Sequence, residues 1–110
     1  MKIAVLNGSP KGRASVTMQY INFLQLKNKN VDFLIFDVAQ KIKELEVDEK
    51  AFGGIIREIS TADAVIWAFP LYFFLVSSQY KRFIELVFAR NAAFAFRGKT
   101  AAVLSTSINF

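Results

Sequence analysis

Four short apolar runs, Ile3–Leu6, Val31–Phe36, Ala64–Phe69 and Ala101–Leu104, are nearly continuous rather than alternating. Strands covered on both faces read that way, because neither face meets water. Between the runs the apolar period becomes helical. Val16, Tyr20, Phe23 and Leu24 mark one face after Ser15, and Phe52, Ile55, Ile56 and Ile59 another after a cap at Asp48. Tyr80, Phe83, Ile84, Val87 and Phe88 recur at i, i+3, i+4, i+7 and i+8. Strand and helix therefore alternate, which predicts an α/β fold with a doubly wound parallel sheet and right-handed crossovers. Residues 37–47 carry Lys41, Lys43, Glu44 and Glu46 and read as a surface loop with a helical turn. Gly53 and Gly54 each weaken the middle helix by about 1 kcal/mol relative to alanine. Packing is expected to compensate.

The first strand empties into Asn7-Gly8-Ser9-Pro10-Lys11-Gly12-Arg13-Ala14-Ser15-Val16-Thr17. A buried strand that passes through small residues into a helix leaves backbone N–H groups unpaired around one spot, where an anion gains from them. Two phosphate loops are excluded by spelling. Gly12 is followed by Arg13 and Ala14 where a mononucleotide loop needs Lys and Ser or Thr, and Gly8 and Gly12 are spaced wrongly for a dinucleotide loop. The hydroxyls of Ser9, Ser15 and Thr17, with Lys11 and Arg13 beside them, suit a terminal phosphate monoester such as that of FMN. The plainer alternative is a solvated turn in which Ser15 only caps the helix.

In open α/β sheets ligands sit beyond the carboxyl ends of the strands, which brings two more segments into view. After the third run, Pro70 is expected to stop the strand, and Leu71, Tyr72, Phe73 and Phe74 gather apolar and aromatic surface at its exit. For Phe69, Phe73 and Phe74 ordinary core packing is the competing reading. After the fourth run, Ser105-Thr106-Ser107 reads as a loop of small hydroxyl residues that lets the backbone approach a ligand, or as a simple turn.

Composition narrows the chemistry. The 110 residues contain no Cys and no His, which removes thiol nucleophiles, disulfides, most zinc sites and imidazole acid–base catalysis. No metal site and no catalytic side chain is expected, so a cofactor with its own reactive atoms fits best. The net charge of +5 is scattered without a basic block, so no nucleic-acid partner is expected. Ala64–Val76 is too short to span a bilayer and is broken by Pro70, so no membrane partner is expected either. One domain over residues 1–110 is expected, in the cytoplasm. Sheets of this kind usually continue to a fifth strand, so the chain is expected to be cut short after its fourth.

Lys2–Pro10, Ala62–Tyr72, Gln79–Glu85 and Gly98-Lys99-Thr100 together resemble the NAD(P)H-dependent FMN reductase family of the flavodoxin-like superfamily. The likeness runs over essentially the whole chain, and its most specific part is Gly-Ser-Pro after the first strand paired with Pro-x-Tyr after the third. It implies a flavodoxin-like sheet in the order 2-1-3-4-5, here 2-1-3-4 with the fifth strand missing. It also implies FMN, with NAD(P)H as co-substrate and hydride passed through the flavin to an acceptor. By position, Ser9, Ser15, Val16 and Thr17 match phosphate binders, the last two through their backbone, and Lys11 beside them is a further cofactor-binding candidate. Pro70, Leu71, Tyr72 and Phe73 match the loop along the flavin ring, and Ser105, Thr106 and Ser107 a third contact. Val16 stands where relatives often carry Thr. Some relatives hold an iron–sulfur centre on cysteines after strand two, and this chain has none there. Small-molecule cofactor and acceptor are the expected partners, within a homo-oligomer. A flavodoxin-type electron carrier and a flavin-free structural or regulatory domain are the alternatives.

Overall fold

The computed structural model describes residues 1–71 and 75–107. Its centre is a sheet of β1 (Lys2–Asn7), β2 (Asp32–Phe36), β3 (Ala64–Leu71) and β4 (Thr100–Ser107), all parallel, in the order β2-β1-β3-β4. Helix α1 (Val16–Lys27) joins β1 to β2, α2 (Ile42–Val47) and α3 (Glu49–Ser60) join β2 to β3, and α4 (Ser78–Ala89) joins β3 to β4. This is the flavodoxin-like α/β arrangement.

Side chains alternate across β1 and so divide the interior. Val5 points to α1 and meets Met18, Ile21 and Ala68. Ala4 and Leu6 point the other way, into a larger cluster with Phe52, Ile56 and Ile59 of α3 and Tyr80, Phe83 and Leu86 of α4. Each of these helices begins on a side chain that accepts from its first turn. Ser15 Oγ accepts from the Met18 amide at 3.2 Å, Asp48 Oδ1 from Lys50 and Ala51 at 3.0 and 3.1 Å, and Ser77 Oγ from Tyr80 at 3.2 Å. Lys99 closes the other end of α3 by donating its ammonium to the Ser60 and Ala62 carbonyls.

Several expectations are corrected. Strand β3 does not stop at Pro70 but runs on to Leu71, with Pro70 opposite Thr106 and Leu71 opposite Ser107. Ala68 turns its carbonyl to β1, where it accepts from Gly8, so Pro70, two residues on, faces the same side. The β1 register ends at Asn7 opposite Ala68, and the N–H that proline lacks has no strand to serve there. Ser105, Thr106 and Ser107 are accordingly the end of β4 and not a loop after it.

Residues 37–47 hold the short helix α2, whose Ile42 and Leu45 are buried. The buried face of α1 is Thr17, Met18 and Ile21, while Val16, Tyr20 and Phe23 stand more than half exposed. Apolar side chains occur nearly all round this helix, so their period could not select the face. In β4, Ala101, Ala102 and Val103 are exposed although their run is continuous, because the strand lies at the sheet edge. Gly53 and Gly54 have no atom within 4 Å of where a Cβ would stand, so no close approach accounts for them. Among the described residues, no helix is long and apolar enough to cross a membrane.

Candidate functional site

The turn after β1 is held in one shape by a buried asparagine. Asn7 is fully buried and uses its whole amide: Nδ2 donates to the Gly12 carbonyl at 3.0 Å and to Asp37 Oδ1 at 2.9 Å, while Oδ1 accepts from the Ser9 amide at 3.1 Å. Asp37, just past β2, also meets Arg13 Nε at 3.2 Å. Gly12 completes the turn at φ +61, where a Cβ would be strained and would meet the Gln40 side chain at 2.5 Å. Among the sequence-derived candidates neither Asn7 nor Asp37 appeared. An Asn beside Gly-Ser was a faint signal for the first, but nothing local pairs it with a residue thirty positions away.

The serines on this frame, Ser9 and Ser15, are both buried and both keep a donor. Ser9 Oγ accepts from the Lys11 amide at 3.2 Å and Ser15 Oγ from Met18, so each hydroxyl keeps its proton to give. The backbone N–H groups of Val16 and Thr17, in the first turn of α1, meet no acceptor among the described residues. Capping by Ser15 and anion binding are therefore compatible. The Thr17 hydroxyl is already occupied by Thr106 Oγ1 at 2.8 Å, tying α1 to the end of β4.

A cleft of about 200 Å³ lies at this spot, lined by Ser9, Lys11, Ala14, Ser15, Val16, Pro70, Leu71, Thr106 and Ser107. Three segments distant in sequence thus meet at the carboxyl ends of β1, β3 and β4. Thr17 and Ser105 do not line it: Thr17 is buried beneath, and Ser105, one residue from Thr106 on a strand, points to the other sheet face. Tyr72 and Phe73 lie outside the described residues. Among the described residues no carboxylate lines the cleft and Lys11 is its one charged side chain, which suits an anion. Small-molecule sites usually hold roughly 300–1,000 Å³, so the cleft formed by these described residues is smaller than such a site.

Other sequence-derived candidates fall elsewhere. Arg13 turns to Asp37, and Arg97 precedes β4, at the opposite end of the sheet from the cleft. Phe69 packs on Tyr80 with ring centres 5.6 Å apart, as core. Arg82 pairs with Glu46 and Glu85, which raise its pKa, on the surface of α4. A larger cavity of about 600 Å³ opens between α3 and the 3₁₀ turn at Ala93–Phe96, but none of the three strand-end segments reaches it. Among the described residues no group of three or more carboxylates is placed to hold a metal.

Comparison with known proteins decides the family, because the model of the NADPH-dependent FMN reductase family matches residues 1–109. The chain belongs to this family. Solved structures agree on the fold. FerB, a flavoenzyme NAD(P)H:(acceptor) oxidoreductase from Paracoccus denitrificans, is similar at 20% identity over 94% of this chain and 59% of its own, with a TM-score of 0.73. The apo form of the NADH:FMN oxidoreductase EMOB is similar at 21% identity over 96% of this chain and 58% of its own, with a TM-score of 0.70. An FMN-dependent NADH-azoreductase from Bacillus anthracis str. Ames Ancestor, solved with FMN, is similar at 15% identity over 100% and 70%, with a TM-score of 0.64. The chain thus spans less than two thirds of the first two, at 59% and 58%. Comparison with curated proteins gives no match.

Proposed function

We propose that this member of the NADPH-dependent FMN reductase family binds FMN across the ends of β1, β3 and β4, in a protein that passes hydride from NAD(P)H through the flavin to an acceptor. The observation that carries the reading is the first turn of α1, where the N–H groups of Val16 and Thr17 meet no acceptor among the described residues and Val16 lines the same cleft as Pro70 and Thr106. A phosphate monoester would take those two amides and the Ser9 and Ser15 hydroxyls, with Lys11 balancing charge. The ring would lie along Pro70 and Leu71, toward Tyr72 and Phe73, with Thr106 and Ser107 closing the third side. The residues fit such a group: donors outnumber acceptors, and Arg13 holds the nearby Asp37 carboxylate.

Bound FMN supplies a ring that accepts hydride and gives up electrons, chemistry that a chain without His or Cys leaves to a cofactor. The side chains orient and bind; none is assigned a proton. The scattered charge of +5 supports a reductase over a carrier that docks through an acidic face. A cytoplasmic homo-oligomer belongs to the same proposal. Titration with FMN and with riboflavin tests the binding, followed by flavin fluorescence. FMN is expected to bind at least about tenfold more tightly, since each hydrogen bond to a charged group is worth about 1.5–3 kcal/mol. Equal affinity for the two, or no binding of either, overturns the reading, and NAD(P)H consumption by the FMN-loaded chain tests the reductase step.

A further inference from the structure

The phosphate turn is fastened from below by α4, a helix that contributes nothing to the walls of the cleft. Ser77, buried at the N-cap of α4, donates its hydroxyl to the Gly8 carbonyl at 3.1 Å while accepting from the Tyr80 amide at 3.2 Å. Tyr80 is 1% exposed, and its hydroxyl donates to the Leu6 carbonyl at 2.7 Å. Its ring lies flat under Gly8, so close that a Cβ on that residue would stand 2.7 Å from two ring carbons. Burial pushes the Tyr80 phenol far above its ordinary range, with the Ala68 backbone acting the other way, so the group is a permanent donor. Trp67 and Phe69 of β3 brace the ring at 6.0 and 5.6 Å between centres.

The turn after β1 therefore has its support in α4. It rests on Tyr80 and is bonded to Ser77. We propose that Ser77 and Tyr80 are positioning residues that hold the phosphate turn at the end of β1, so that the phosphate's share of flavin binding depends on them although neither touches the flavin. The proposal rests on FMN occupying the strand-end cleft. Gly8 acquires its reason here: the backbone must come down onto an aromatic ring, which no side chain permits.

The ratio of riboflavin to FMN dissociation constants reads the phosphate's contribution alone, because the two ligands share every other group. Ser77→Ala and Tyr80→Phe each remove one hydrogen bond to the β1 end and keep the shape of the core. Both are expected to lower that ratio about tenfold while leaving riboflavin affinity within about twofold, and Ser77→Thr is expected to restore it. Both variants lower the melting temperature in either case, but a support that is only structural would weaken both flavins alike and leave the ratio unchanged. Amide exchange at Gly8, Ser9 and Gly12 provides a readout without ligand and is expected to speed up in both variants relative to α3. A wild-type chain that prefers FMN, with variants that keep the same ratio and the same exchange, overturns the proposal alone. A wild-type chain with no preference removes the FMN reading and this proposal with it.

Discussion

Asn7→Ala should separate a turn built to hold an anion from one that merely follows a strand. The substitution removes three hydrogen bonds from a fully buried side chain: to Gly12, to Asp37 and from Ser9. The two bonds to neutral backbone groups are worth about 1 kcal/mol each, and the one to the Asp37 carboxylate about 1.5–3 kcal/mol. Water can reach Asp37, whose side chain is 13% exposed and keeps Arg13, so part of the last figure returns. The expected loss is about 3 kcal/mol, with Ser9 N–H left buried without its acceptor. Urea unfolding measures the total, and in a chain of this length it corresponds to a fall in melting temperature of about 12 °C. Exchange of the Ser9 amide localises it, since that proton has Asn7 Oδ1 as its acceptor. A loss below about 1 kcal/mol with Ser9 exchange unchanged would show that backbone packing alone shapes the turn.

Replacing Gly53 or Gly54 with Ala adds a methyl group to open space inside a helix and should stabilise the chain by about 1 kcal/mol each, read by urea unfolding. A destabilised variant would mean that the space is used. Gly8→Ala drives a Cβ to 2.7 Å from the Tyr80 ring and should destabilise by at least about 2 kcal/mol, partly relieved in a Gly8→Ala, Tyr80→Leu double variant. Asp48→Ala leaves the Lys50 and Ala51 amides uncapped and should cost about 1 kcal/mol without altering flavin affinity. Thr17→Val keeps shape but breaks the link to Thr106, and should cost about 1 kcal/mol in the same assay.

The order of strands and helices was legible because a fully covered strand and a one-sided helix leave different periods in the sequence. The limits of that rule are visible in α1 and β4. Apolar residues surround α1, so the period carried no phase; the face was chosen by what Met18 and Ile21 could fill between Val5 and Ala68. The run Ala101–Leu104 is as apolar as Ile3–Leu6, yet only the inner one is covered, since burial depends on place in the sheet and the run carries no record of it. Pro70 misled for a related reason. Proline breaks a strand when its missing N–H faces a partner, and here β1 has already ended on that side.

The site divides along the same line. Ser9, Lys11, Ser15 and Val16 come to the cleft from the turn after β1, which is a local pattern of small residues after a buried strand, whereas Pro70, Leu71, Thr106 and Ser107 reach it from strands β3 and β4 and not from the loops expected there. The residues that hold those donors in place are not local. Asn7 reaches Asp37 across the β1–β2 pair, and Tyr80 reaches Leu6 seventy-four positions away. Each reads from sequence as something ordinary, an Asn in a turn or an aromatic on a helix face. Only the crossover that returns α4 beneath β1 turns that aromatic into the floor of the turn. An anion site of the kind proposed needs its donors fixed before the ligand arrives, and the turn after β1 is fixed by Asn7, Ser77 and Tyr80, side chains whose own pattern records nothing but burial.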